Sequence, residues 1–197
     1  DIDSPADLCV LALVGGAGTR LQALLEAQQF DLSRYQRLLP LLTDRNAQLL
    51  LAGRVGSKAW AYLEQETACR VRLFSEERGM VADGRLAAAQ ARSLLGFFLE
   101  RTGVEDFFQV LPQLCDAAVI DTRVLLAHLE SAASRQDRFL SDLSVWEEIE
   151  DEFLREFTRL ACAAEVPVLL GGHSLLAGGL LSLIEFAWKQ READGAA

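Results

Sequence analysis

Four short apolar runs, Ala47 to Ala52, Arg70 to Phe74, Ala117 to Ile120 and Val166 to Leu170, punctuate the chain, and helix-like segments separate them. Runs this short suit strands, whereas a helix needs a longer stretch to bury an apolar stripe. Strands alternating with helices make βαβ units, whose crossovers oblige neighbouring strands to run parallel. With right-handed crossovers, four such strands most simply adopt the order 2-1-3-4. The second run alternates Arg70, Val71, Arg72 and Leu73, so one of its faces is polar and it belongs at a sheet edge. The fold class expected is therefore α/β: a Rossmann-like three-layer domain on a four-stranded parallel sheet.

The helices are read from their start and stop signals. Ser4-Pro5-Ala6-Asp7 offers a capping hydroxyl, Pro at the first helical position and an acid in the first turn. Helical spacing resumes over 19–29 and 32–42 after the glycines at 15, 16 and 18. Ser57 is expected to cap a helix running to Glu66. Further helices are expected over 85–101 and 105–115, with Gly103 as the stop between them, over 123–134, and over 175–190. Ser144-Val145-Trp146-Glu147 has the form of a capping box, and Trp146, Ile149, Phe153, Phe157 and Leu160 would share the face of the helix that follows. A length of 197 residues suits one core, so residues 1–46 are read as an N-terminal helical segment packed with an α/β domain over 47–197 as one domain.

Composition narrows the function classes. A formal charge of −10 opposes a nucleic-acid surface, which needs clustered Lys and Arg and an attractive long-range field. Cys9, Cys69, Cys115 and Cys162 form no C-x-x-C pair, so neither a zinc knuckle nor a redox dithiol is indicated; each reads as a buried free thiol. The apolar stretch from Val166 to Trp188 is long enough to suggest a membrane span, but Pro167, Gly171, Gly172, His173 and Glu185 divide it into strand, turn and helix. With no membrane segment and no visible secretory leader, a cytoplasmic location is expected.

In an open parallel sheet, ligands bind outside the carboxyl ends of the strands near the point where the winding reverses. The first exit carries Gly53, Arg54, Gly56 and Ser57; the second Glu76, Glu77 and Arg78; the third Asp121 and Arg123; the fourth Gly172, His173 and Ser174. Arg54, Arg78 and Arg123 thus stand at three of four exits in an acidic chain, and guanidinium groups suit carboxylate and phosphate. The two glycine-containing exits allow close backbone approach and offer helix N-terminal amides to an anion. Glu76 and Glu77 also fit a solvated loop with local ion pairs. Asp121 can bind metal or sugar hydroxyls, or cap the next helix. His173, between a Gly-Gly turn and a helix start, suits acid/base work or ligand contact. His128, among leucines, reads as packed or superficial. No hydrolase elbow is present, since Ser174 and His173 are adjacent.

Two stretches resemble known families. Asp1-Ile2-Asp3-Ser4-Pro5-Ala6-Asp7-Leu8 resembles the D-x-D-[ST]-P-x-D-L motif that closes the catalytic domain of MobA-like and CMP-KDO-synthetase-like nucleotidyltransferases. That resemblance implies that Asp1 or Asp3 is a metal ligand of a domain lying upstream, and that the present chain accompanies a nucleotidyltransferase. Gly15-Gly16-Ala17-Gly18-Thr19-Arg20-Leu21 looks like the triphosphate loop of sugar nucleotidyltransferases, but the Pro-Lys pair of that family is missing, the first lysine being Lys58. One motif closes such a fold and the other opens it, so they exclude each other within twenty residues; the glycine run is read as a chance match.

The resulting expectation is a domain that binds a small anionic ligand, phosphorylated or nucleotide-derived, at the strand exits, with His173 and Asp121 as candidate catalytic groups and no cofactor or metal identified. The alternative is a non-catalytic association domain. Its basis is the apolar breadth of the helices bearing Leu94, Leu95, Phe97, Phe98, Phe107, Phe108 and Leu111, together with Ala177-Gly178-Gly179; a homodimer is the natural form of that reading.

Overall fold

The computed structural model describes residues 2–16, 18–80, 82, 84–86 and 90–195; Asp1 and Ala17, named in the two resemblances, lie outside them. Four parallel strands, β1 (Gln48–Gly53), β2 (Arg70–Ser75), β3 (Ala117–Asp121) and β4 (Val168–Gly171), form one sheet in the order β2-β1-β3-β4. Around it lie α1 (Pro5–Val14), α2 (Thr19–Ala27), α3 (Ser33–Leu42), α4 (Ser57–Glu66), α5 (Leu94–Thr102), α6 (Val104–Leu114), α7 (Thr122–His128), α8 (Arg135–Leu143), α9 (Glu152–Ala163) and α10 (Leu180–Gly195).

Side-chain alternation along the strands divides the core. Leu49, Leu51, Val119 and Leu169 pack against Val10, Leu38, Leu63 and Leu183 of α1, α3, α4 and α10. Leu50, Ala52, Ile120 and Leu170 face the opposite way, onto Leu99, Leu111 and Phe157 of α5, α6 and α9. Helices on both faces of a parallel sheet make the three layers expected of the strand pattern. Helices α1 and α3 share one core with the strands. β2 lies at an edge, as its alternation requires, with Val71 and Leu73 half-buried and Arg70, Arg72 and Phe74 exposed.

Several helix boundaries depart from the sequence reading. Helix α4 begins at Ser57 itself, behind Gly56, and the Ser57 side chain makes no capping bond. Helix α5 begins at Leu94 rather than 85, where the Ser93 hydroxyl accepts from the Gly96 amide at 3.0 Å; residues 84–86 form a turn and 87–89 lie outside the described residues. Helix α7 ends at His128, because Glu130 adopts a positive φ of 50° and turns the chain.

Helix α8 was not expected, and it starts with a reciprocal capping box between Ser134 and Asp137. Ser144 then closes α8 in the left-handed region at φ 65° instead of opening a helix. Residues 146–148 make a single tight turn, and Asp151, accepting from the Leu154 amide at 2.8 Å, caps α9. Two N-cap candidates, Ser144 and Asp151, lie within eight residues, and the one directly preceding the Phe153, Phe157 and Leu160 stripe caps the helix.

The stretch from Val166 divides as expected into β4, a turn and a helix, although a π-helical segment, Leu175–Gly179, intervenes before α10. Among the described residues no single helix is long and apolar enough to cross a membrane. All four cysteines are free, three buried and Cys162 partly so; burial pushes the Cys9, Cys69 and Cys115 thiols up to about 11, which keeps them protonated at neutral pH.

Candidate functional site

Register places Gly53 beside Ser75, Ala52 beside Ile120 and Asp121 beside Gly171, so the four strands finish level at one edge. The winding reverses between β1 and β3, and Arg54 and Asp121 leave the sheet at that point. Arg54 grips Asp121 with two bonds, Nε to Oδ2 at 2.6 Å and Nη2 to Oδ1 at 3.1 Å. The Arg123 amide also donates to Asp121 Oδ1 at 3.0 Å, which makes Asp121 the N-cap of α7. With its side chain fully buried and four donors around it, counting the long bond from the Arg54 amide, Asp121 holds protein rather than facing solvent.

The Arg123 side chain turns away from Asp121 to a second buried acid. Its Nη1 and Nη2 donate to the two oxygens of Asp142 at 2.8 and 2.5 Å, and Nη1 also donates to Thr122. Sequence reasoning missed Asp142 because it sits on the unexpected helix α8. Burial pushes the Asp142 carboxyl up to about 6, against the opposing pull of Arg123. A folded-state value above the unfolded one means that the native state takes up a proton more readily. The associated stabilisation is therefore complete below the unfolded value near 3.9 and lost as pH rises through about 6.

Relative to an Asp142→Asn variant, wild-type stability measured by urea unfolding should fall by on the order of 2 to 3 kcal/mol between pH 4 and pH 7. A difference that stays flat across that range would show Asp142 ionised throughout.

A cavity of about 340 Å³ opens over this edge, lined by Arg54, Arg123, Gly172, His173 and Ser174 from the strand exits and by Arg135 and Arg138 from α8. His173 is exposed and also borders a second cavity of about 470 Å³, over Asp3, Asp7 and Gly178. Ser174 is tied down: its hydroxyl donates at 2.9 Å to Asp7 Oδ2, which also accepts the Asp3 and Ser4 amides. The Asp7 carboxylate thereby anchors the start of α1 to the turn after β4.

Not every candidate joins this cavity. The exposed Arg78 lies over Gly56, where an added Cβ would stand 2.8 Å from its Nη1, and neither residue lines the cavity. Ser57 is exposed outside it. Glu76 accepts from the Ser93 hydroxyl at 2.7 Å and Glu77 pairs with Arg85 at 2.6 Å, so both acids organise the loop after β2. Asp121 stands behind the cavity wall and acts through Arg54. His128 is buried edge-on against Phe97, 4.5 Å between centroids, and accepts from the Ser93 amide at 3.3 Å. Among the described residues no group of three or more His, Cys, Asp or Glu side chains is placed to share a metal ion.

Comparison with protein-family models, curated proteins and solved structures finds no match to this chain.

Proposed function

We propose that the domain binds a small anionic ligand, phosphorylated or nucleotide-derived, in the cavity at the carboxyl edge of its sheet. The observation that carries this reading is the meeting of Arg54, Arg123, Arg135 and Arg138 around one opening in a chain of net charge −10. Like charges gather only where something opposes them, and the two buried aspartates oppose only Arg54 and Arg123. The position outside strand ends, at the winding reversal, is where α/β sheets bind ligands, and the cavity volume falls within the small-molecule range. His173 on the rim is the side chain suited to proton transfer if the ligand reacts. The likeness of residues 1–8 to a nucleotidyltransferase ending supports a role beside such an enzyme, with the ligand drawn from its substrates or products.

The test is a thermal-shift series with inorganic phosphate, nucleoside monophosphates and sugar phosphates. A ligand at a hundred times its Kd stabilises by about 2.7 kcal/mol, or roughly 5 to 10 °C for a domain of this size. Arg138→Glu should erase the rise without unfolding the protein.

A second reading, self-association, draws on an apolar cleft of about 260 Å³ between β2 and the α5–α6 pair, where Phe74, Leu94, Phe98 and Val110 are exposed. Silence towards every anion, joined with a sedimentation profile that shifts with chain concentration, favours that reading over the first.

A further inference from the structure

Resting on the anion-binding reading, the geometry points to a division of labour among the four arginines and, through it, to a class of ligand. Arg54 and Arg123 are already engaged. Each forks onto a carboxylate with a fully buried side chain, and each therefore shapes the wall more than it attracts from it. Arg135 and Arg138 differ. Neither makes a side-chain hydrogen bond or ion pair with a described residue; Arg135 lies over the Phe139 ring at 5.1 Å, and Arg138 is half-buried. Asp142 stands one turn beyond Arg138 on the same helix, but both its oxygens are taken by Arg123. Two adjacent, unneutralised guanidinium groups on one helix face are placed for a charge from outside the chain.

The charge count limits that outside group. Apart from His173, the four guanidinium groups face Asp3 on the rim and, behind the wall, Asp121, Asp142 and Asp7, the last held by Ser174, so the acids balance the bases and only Arg135 and Arg138 lack an acidic partner among the described residues. Two unpartnered guanidinium groups suit a singly or doubly charged head and disfavour a polyphosphate, whose further charges would meet Asp3. Part of the remaining wall is apolar: Met80 and Leu126 are buried, and Ala127 and Phe139 are half-buried beside them, while Ser4 and Ser131 add polar groups elsewhere in the lining. Such a wall is complementary to an apolar or planar body. We infer that the ligand is an amphipathic organic mono- or dianion, a phosphate monoester or a carboxylate, whose charged end lies between Arg135 and Arg138 and whose body covers Leu126, Ala127 and Phe139.

Calorimetric titration of the full chain with phenyl phosphate, benzoate, inorganic phosphate and tripolyphosphate separates the possibilities. At least one of the two aromatic anions should bind tenfold or more tightly than both inorganic anions. Arg135→Gln with Arg138→Gln should weaken that binding at least tenfold, with an unchanged melting temperature of the free protein. Tripolyphosphate or phosphate matching the aromatic probes overturns the amphipathic class while leaving an anion site. Unchanged affinity in the double variant overturns the assignment to α8. Failure of all four probes removes the site and this inference together.

Discussion

Replacing Asp121 by Ala should lower the melting temperature by roughly 10 °C. The carboxylate is the join between β3, α7 and the exit of β1: it receives the Arg54 fork, and the Arg123 amide caps α7 on it. Removing it strands a guanidinium whose side chain is only 20% exposed and uncaps a helix in the same step. Loss of one partner from a buried pair costs about 3 to 5 kcal/mol, and loss of a cap about 1. Arg54 can swing partly into the cavity and regain water, so the lower end of that range applies. Asp121→Asn keeps an acceptor for the cap and should lose less. Urea titration of the two variants is the measurement; a loss under about 1 kcal/mol for Asp121→Ala would put this pair among loose surface pairs and remove the rigid frame from which Arg54 meets the cavity.

The sheet was legible because strand signals are made locally. Each apolar run is short, bounded and followed by a polar exit, and the alternating Arg70, Val71, Arg72 and Leu73 mark the edge without reference to any other residue. The strand-exit rule then located Arg54, Arg123, Gly172, His173 and Ser174, which do share one cavity. Its failures have a common origin. Being at a strand exit says nothing about where a side chain turns, so Arg78 lies back over Gly56 and Asp121 turns inward to Arg54. Two of the cavity's four arginines come from α8, a helix that passes the strand exits without following a strand. Its start, Ser134-x-x-Asp137, is readable as a capping box, and Arg135 and Arg138 fall on one face of it. The signal is present in the sequence, but a helix read over 123–134 takes in Ser134 and hides it. Asp142 needed more than pattern: only three-dimensional packing tells a surface aspartate in a polar helix from one buried under Arg123.

Gly53→Ala should be as damaging as any single substitution at this edge, with a loss of roughly 3 to 5 kcal/mol. Gly53 ends β1 at φ 141°, a conformation that L side chains rarely adopt. A methyl group there would stand 2.3 Å from Asp121 Cβ, 3.2 Å from the Asp121 amide nitrogen and 2.7 Å from a Leu176 methyl. The leucine can rotate away, but Asp121 is fixed by its β3 backbone and by Arg54. Relief therefore requires β1 and β3 to part at their ends, which is the point where the cavity wall is assembled. Gly172→Ala is the matched control, since its Cβ would come no nearer than 3.8 Å to Arg123 Nε, an ordinary contact. The two variants, compared by denaturant unfolding, should diverge sharply, the first losing stability and the second none, and binding of the best anionic probe should fall in Gly53→Ala. Equal behaviour would show that the ends of β1 and β3 are farther apart than the Arg54–Asp121 fork requires, and the cavity would then lose the wall that orders its arginines.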